Sequence, residues 1–352
     1  MAEIIGLGTT HAPTLFKVPE DMTSSFRRTL AGKNLPHHMR DPRNWPEAMQ
    51  AEWADDQGAA AGREYNRKVF AATRNLRARL DAFKPDLVIL YGDDQYENFT
   101  EDIVPPFCIY IMDEFVSLPF APGVGAPEAR RNVWNEPGDK VFRHKGNARA
   151  GRYLINYLRD QGMDLPYAYR MRYQNGLAHS FINTLLFLDP DRKGFDYPIL
   201  PIHINCYGGD LIRQRGGTKA PTDVNEEPDP SAPSAAACFD LGRAVGRAFA
   251  ASPLRTAIIG SASWGHGFLT KKNHWLYPDH ASDRRRLSEL EDNRIAGWRD
   301  FKREDLEDAG QHELTIWSAL AGAMTDLDKT PEVIDYMENY TLNTDSCFAY
   351  FN

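Results

Sequence analysis

His11, Gln95 and His266 each stand just beyond an apolar run of strand length, and His179 and Glu313 sit at the edges of two further apolar runs. In α/β folds, ligands bind just outside the carboxyl ends of the strands, so residues far apart in sequence can converge there. One or two histidines plus one carboxylate, with positions left open, is the donor set of a non-haem Fe(II) centre that activates O2. A spare histidine beside such a centre can move protons. The densest of these stretches is Gly92-Asp93-Asp94-Gln95, which points two acids and an amide beyond the run at 87–91. Glycine and aspartate also populate ordinary strand-to-loop turns, so the stretch gains weight only from the other four positions. No serine or cysteine elbow, P-loop or GxGxxG fingerprint competes with this set.

The elements that must carry these residues follow from periodicity. Residues 3–8, 87–91, 197–205 and 255–261 read as buried strands, and a further strand restarts at Phe107 after Pro105-Pro106. Residues 62–83 read as an amphipathic helix, with Tyr65, Val69, Phe70, Leu76 and Leu80 at three- and four-residue steps. Helices are also expected over 147–162, 234–251 and 313–323, a charged helical stretch over 283–302, and extended chain over 168–173. Helix alternating with strand predicts an α/β fold: one domain over 1–352 with a central, mostly parallel sheet flanked by helices. Residues 14–60 predict a lid or an oligomer contact, and 208–233 a long loop over the site. His203 reads as a structural or supporting residue, and the aromatic C-terminal tail as packed down. For Glu313 at a helix start, simple complementarity to the helix dipole is the competing explanation.

Composition narrows the class. The 352 residues carry a formal net charge of -8, which argues against a nucleic-acid partner. No run of about 18 apolar residues suggests a membrane span, and Met1-Ala2-Glu3 leads directly into a strand rather than a secretory signal. Cys108, Cys206, Cys238 and Cys347 are scattered, with no CxxC pair, as expected of free thiols in a reducing cytoplasm.

Five pieces in order carry a resemblance: Thr10-His11-Ala12-Pro13; Tyr91 to Phe99 running into Val104-Pro105-Pro106-Phe107-Cys108; Gly176-Leu177-Ala178-His179; the segment from Ser261 to His266; and Glu313-Leu314-Thr315-Ile316-Trp317. Together they resemble the class III, LigB-like extradiol ring-cleavage dioxygenases over most of the chain. The resemblance implies a LigB-like fold, an Fe(II) cofactor with Zn or Mn as alternatives, and ring opening of a catechol- or gallate-type diol with O2. It implies metal ligation by His11 and Glu313, an acid/base role for His266, and contact with substrate or oxygen for His179. It also implies a homo-oligomer. The family's second ligand histidine falls on Gln95. Either Gln95 binds the metal, or Asp94 replaces it, or a histidine such as His38 completes the site, or the site has a lower iron affinity or altered chemistry. The alternative is a LigB-like non-redox protein, a binding or signalling module or a zinc enzyme.

Overall fold

The computed structural model describes residues 2–32, 35–123, 128, 130–216 and 229–352. Its strands are β1 (Ile4–Thr9), β2 (Leu87–Gly92), β3 (Phe107–Tyr110), β4 (Glu114–Ser117), β5 (Phe142–Lys145), β6 (Tyr167–Ala168), β7 (Ile199–Ile204), β8 (Thr256–Ser261), β9 (Pro331–Met337) and β10 (Ser346–Phe351). Side chains alternate across a strand. In β2, Leu87, Ile89 and Tyr91 enter one core while Val88 and Leu90 enter the other. Both faces are covered, which is why the run is apolar without alternation.

Eight strands make one sheet in the order β6-β3-β7-β2-β8-β1-β10-β9, and β4 pairs with β5 apart from it. The central strands β7, β2, β8 and β1 are parallel. One flank continues antiparallel through β10 and β9; on the other, β3 runs antiparallel to β7 and parallel to β6. This is the expected mixed α/β arrangement, a large, mostly parallel sheet between helices. One core holds the helices Ala148–Asp160, Ala235–Ala250 and Leu314–Asp326; the other holds Ala59–Phe83 and His179–Phe187. The helices Ala235–Ala250 and Leu314–Asp326 approach closely. A Cβ added at Gly242 would strike the Ala319 backbone, and one at Gly322 the Phe239 backbone.

Three expectations change. The aromatic tail is not merely packed down but forms β9 and β10. Within β10, Cys347, Ala349 and Phe351 fill one core and Phe348 the other, so the tail is a buried strand between β1 and β9. The extended stretch over 168–173 contracts to the two-residue β6. The charged stretch over 283–302 is a helix, His280–Glu291, followed by a 3-10 segment, Ile295–Asp300. Within 14–60, short helices and turns carry Phe26, Trp45, Met49 and Trp53 onto Leu276, Tyr277 and Tyr340. Glu52 fastens this segment by accepting from the backbone N–H of Tyr340 (2.9 Å) and Thr341 (2.7 Å). Of the loop expected over 208–233, residues 217–228 lie outside the described residues; before and after them, Arg213 pairs with Asp229 at 2.6 Å. Among the described residues no helix is long and apolar enough to cross a membrane.

Candidate active site

Adjacent strands β2, β8 and β1 end side by side, and the residues just beyond them form a buried polar cluster. His11 follows β1, Asp93 follows β2, and Ser263 and His266 follow β8. Glu313 reaches the cluster from the start of the Leu314–Asp326 helix. It stands at the N-cap position, yet its carboxylate makes no capping bond to that helix. The carboxylate is turned instead to His11, His266, Tyr207 and the Ser263 backbone. His11, Asp93, Glu313 and His266 are all at most 4% exposed.

His11 Nε2 lies 3.4 Å from Asp93 Oδ1 and 3.3 Å from Glu313 Oε2. The other ring nitrogen, Nδ1, sits 2.9 Å from the Ser261 carbonyl and donates there. That contact turns Nε2 toward two carboxylate oxygens. Asp93 Oδ1 is buried and has no hydrogen-bond partner, an arrangement that costs free energy unless something electropositive meets it. Burial and the Glu313 charge both push the Asp93 carboxyl up. Burial also works against ionised Glu313, but His266 and His11 hold its carboxyl well below the usual range. His11 Nε2 thus lies between an Asp93 and a Glu313 oxygen, and the donorless Asp93 Oδ1 fits a cation at this place. His11, Asp93 and His179 also offer ligand atoms within 4.8 Å of one another.

The structure brings together four of the residues expected from sequence and separates two. His11, Gln95, His266 and Glu313 meet at the centre, with His179 beside them; Asp94 and His38 do not join. Asp93 and Gln95 keep the alternation of β2 and face the cluster, so Asp94 faces away. The Asp94 carboxylate accepts from the backbone N–H of Glu97 (2.9 Å), Asn98 (2.9 Å) and Phe99 (3.3 Å). It builds the turn and is spent there, so the acid at the cluster is Asp93. Gln95 presents its amide nitrogen 2.9 Å from Asp93 Oδ2 and 3.4 Å from Glu313 Oε1. Facing two carboxylates, the amide must show its donor end. His38 is exposed on the His37–Arg40 turn, its ring 6.1 Å from that of His274. His203 is buried against Phe99, with ring centroids 4.7 Å apart, as its structural reading requires.

Sequence reasoning also passed over Glu97 and Tyr207. Tyr207 donates to Glu313 Oε1 at 2.7 Å and stacks on His312. Glu97 accepts from the His179 backbone N–H at 2.9 Å, and its other oxygen lies 3.0 Å from His179 Nδ1. Burial alone would depress His179. The Glu97 charge and hydrogen bond, with Asp93 and Glu313 behind them, instead raise it to about 9. The charged ring thus contributes stability that is complete below its ordinary value of 6.5 and lost as pH rises through about 9. Glu97→Gln removes the dominant support. In the cation-free variant, histidine NMR should find His179 titrating near or below 6.5. A titration still centred near 9 would assign the shift to other groups.

No protein-family model matches the chain. Among curated proteins, it is 30% identical over 139 residues to the 2,3-dihydroxyphenylpropionate/2,3-dihydroxicinnamic acid 1,2-dioxygenase 2 of Pseudomonas putida, covering 40% of this chain and 37% of that protein. The 2,3-dihydroxyphenylpropionate/2,3-dihydroxicinnamic acid 1,2-dioxygenase of Photorhabdus laumondii subsp. laumondii is 24% identical over 206 residues, 58% of this chain and 50% of that one. That of Comamonas testosteroni is 28% identical over 190 residues, 54% and 46% of the two chains. The chain thus spans about half the length of these relatives, or less. A solved structure of an uncharacterized protein from Escherichia coli K12 covers 80% of this chain and 92% of its own at a TM-score of 0.44 and 12% identity, too loose a likeness to specify more. Over these stretches the chain is similar to 2,3-dihydroxyphenylpropionate/2,3-dihydroxicinnamic acid 1,2-dioxygenases.

Proposed function

We propose that this chain is an extradiol dioxygenase that opens the ring of an aromatic diol beside its two hydroxyls with O2, using Fe(II). One observation carries the reading: Asp93 Oδ1 is buried without a hydrogen-bond partner beside His11 Nε2, and His11, Asp93 and His179 offer ligand atoms within 4.8 Å of one another. The names of the similar proteins support the substrate class and the reaction.

His11, Asp93 and Glu313 are the residues that would hold the cation. When bound, Fe(II) supplies the electronic link between an electron-rich diol and O2, which the protein's own side chains cannot provide. Two carboxylates and one imidazole form a harder donor set than two imidazoles and one carboxylate. His179 stands beside His11 and Asp93 with its Nδ1 held by Glu97, where it could join the ligands or pass a proton. With Nδ1 committed to Glu97, its Nε2 is the atom left for either role. His266 is anchored at Nδ1 by the Gly310 carbonyl (3.2 Å) and brings Nε2 to 3.3 Å from Glu313 Oε1. It is positioned to take or return a proton at the reacting ring. Tyr207 and the Ser263 backbone N–H (3.0 Å) fix the Glu313 carboxylate.

The test is anaerobic loading with Fe(II), followed by oxygen uptake on a panel of catechols, gallates and dihydroxyphenyl acids. We expect bound iron and one O2 consumed per diol opened. A chain that holds no iron and consumes no oxygen with any diol is not this enzyme.

A further inference from the structure

The His179–Phe187 helix meets the ends of the three strands that carry the cluster. Its Phe181, Ile182, Leu185, Leu186 and Phe187 enter the core. Ser180, Asn183 and Thr184 are just as buried, at most 1% exposed, yet polar. Their i, i+3, i+4 spacing puts them on one helical face. Each reaches a different strand end. Ser180 Oγ donates to the Asp93 carbonyl just beyond β2 (2.5 Å). Thr184 Oγ1 donates to the hydroxyl of Ser261, the last residue of β8 (2.5 Å). Asn183 Nδ2 donates to the His11 carbonyl beyond β1 (3.0 Å). β2, β8 and β1 are neighbours in that order. Adjacent strands lie about 4.8 Å apart and a helical turn rises about 5.4 Å, so Ser180 and Thr184, one turn apart, match adjacent strand ends.

The close fit has a cost that packing does not explain. Gly92 ends β2, and a Cβ there would stand 2.6 Å from Ser180 Oγ and 2.9 Å from the Phe181 ring. Only glycine lets the helix close on this strand. Asn183 turns its amide nitrogen to the His11 carbonyl and leaves Oδ1 buried without a hydrogen-bond partner. A bare buried acceptor is unfavourable, and a leucine of similar shape would avoid it. What Asn183 supplies in return is a hold on the backbone that carries His11. Thr184 fixes the residue that holds the ring, since the Ser261 carbonyl lies 2.9 Å from His11 Nδ1. His179 begins the same helix, with its ring centroid 5.2 Å from that of His11.

We propose that Ser180, Asn183 and Thr184 are positioning residues that make this helix a clamp, setting the spacing of His11, Asp93 and His179. They act through the Asp93 and His11 carbonyls and through Ser261, not by contact with cation or substrate. The consequence for cation binding rests on the metal-site reading above; the clamp rests on the hydrogen bonds alone.

The experiment takes Asn183→Leu and Thr184→Val in the full chain, with Mn(II) as the probe cation and Tyr153→Phe for comparison. Leucine and valine keep the shapes and remove the donors. Tyr153→Phe deletes a hydrogen bond to the Ala248 carbonyl (2.7 Å), which lies on another helix and touches no strand end. Mn(II) affinity should fall about ten-fold or more in both clamp variants, as for other lost supports of metal ligands, and change little in Tyr153→Phe. Crystal structures of the cation-free proteins should show the separation of His11 Nε2 and Asp93 Oδ1, 3.4 Å in this structure, altered by about 0.5 Å or more in the clamp variants alone. A purely structural role would lower melting temperature in all three variants and move neither readout. Wild-type affinity in the clamp variants, or an equal loss in Tyr153→Phe, would overturn the clamp. If the wild type binds no Mn(II), the metal reading fails and the separation alone decides. If a clamp variant does not fold, Ser180→Ala, which deletes a single hydroxyl, takes its place.

Discussion

Glu313→Gln should release the metal. The substitution keeps size and shape but removes the charge that both His11 and His266 face at 3.3 Å. It also places an N–H where the carboxylate now accepts from Tyr207 and the Ser263 backbone. Breaking one partner of a buried ionic set costs about 3–5 kcal/mol. Cation affinity should therefore drop by about two to nearly four orders of magnitude. Anaerobic titration calorimetry with Fe(II) measures this without reference to turnover. An affinity within a few-fold of wild type would remove Glu313 from the ligand set and leave His11 and Asp93 to be explained another way.

His266→Ala should do the opposite: leave the metal in place and stop the chemistry. The ring hangs from the Gly310 carbonyl, which accepts from both the His266 backbone N–H (2.9 Å) and Nδ1 (3.2 Å). That double anchor allows little rotation, so Nε2 is committed to the Glu313 side of the site. Loss of a positioned acid/base typically lowers rate by about 10²–10⁴-fold. We expect kcat for the opened diol to fall in that range while KM and iron content change much less. Unchanged turnover would exclude a proton-handling role for His266. Loss of iron together with turnover would make it a support for Glu313 instead.

The apolar runs at 87–91 and 255–261 were legible as strands because both faces of β2 and β8 are covered by helices. The same feature made their carboxyl ends the place to look for chemistry. The helix over 62–83 was legible from its spacing, but β9 and β10 were not. Their alternation is blurred, because β10 lies inside the sheet and Glu332 and Asp335 sit on a partly exposed flank. Among the site residues, His11, Gln95, His266 and Glu313 could be found because each follows or begins a recognisable element. Asp93 was within reach: Tyr91, Asp93 and Gln95 share strand parity, and that parity turns Asp94 outward. Glu97 and Tyr207 were not within reach. Their roles come from where two loops fold back, and no local spacing records that contact.

The sheet order has a consequence for how the molecule is made. β1 emerges first among the strands, yet its hydrogen-bonding neighbours are β8 and β10, whose residues begin at 256 and 346. At typical rates of synthesis, an apolar six-residue segment waits on the order of ten seconds or more for its partners. Unpaired strand edges of this kind are the ones that nascent chains lose to aggregation. Closing the sheet around β1, and with it the buried cluster at that strand's carboxyl end, therefore waits for β8 and β10.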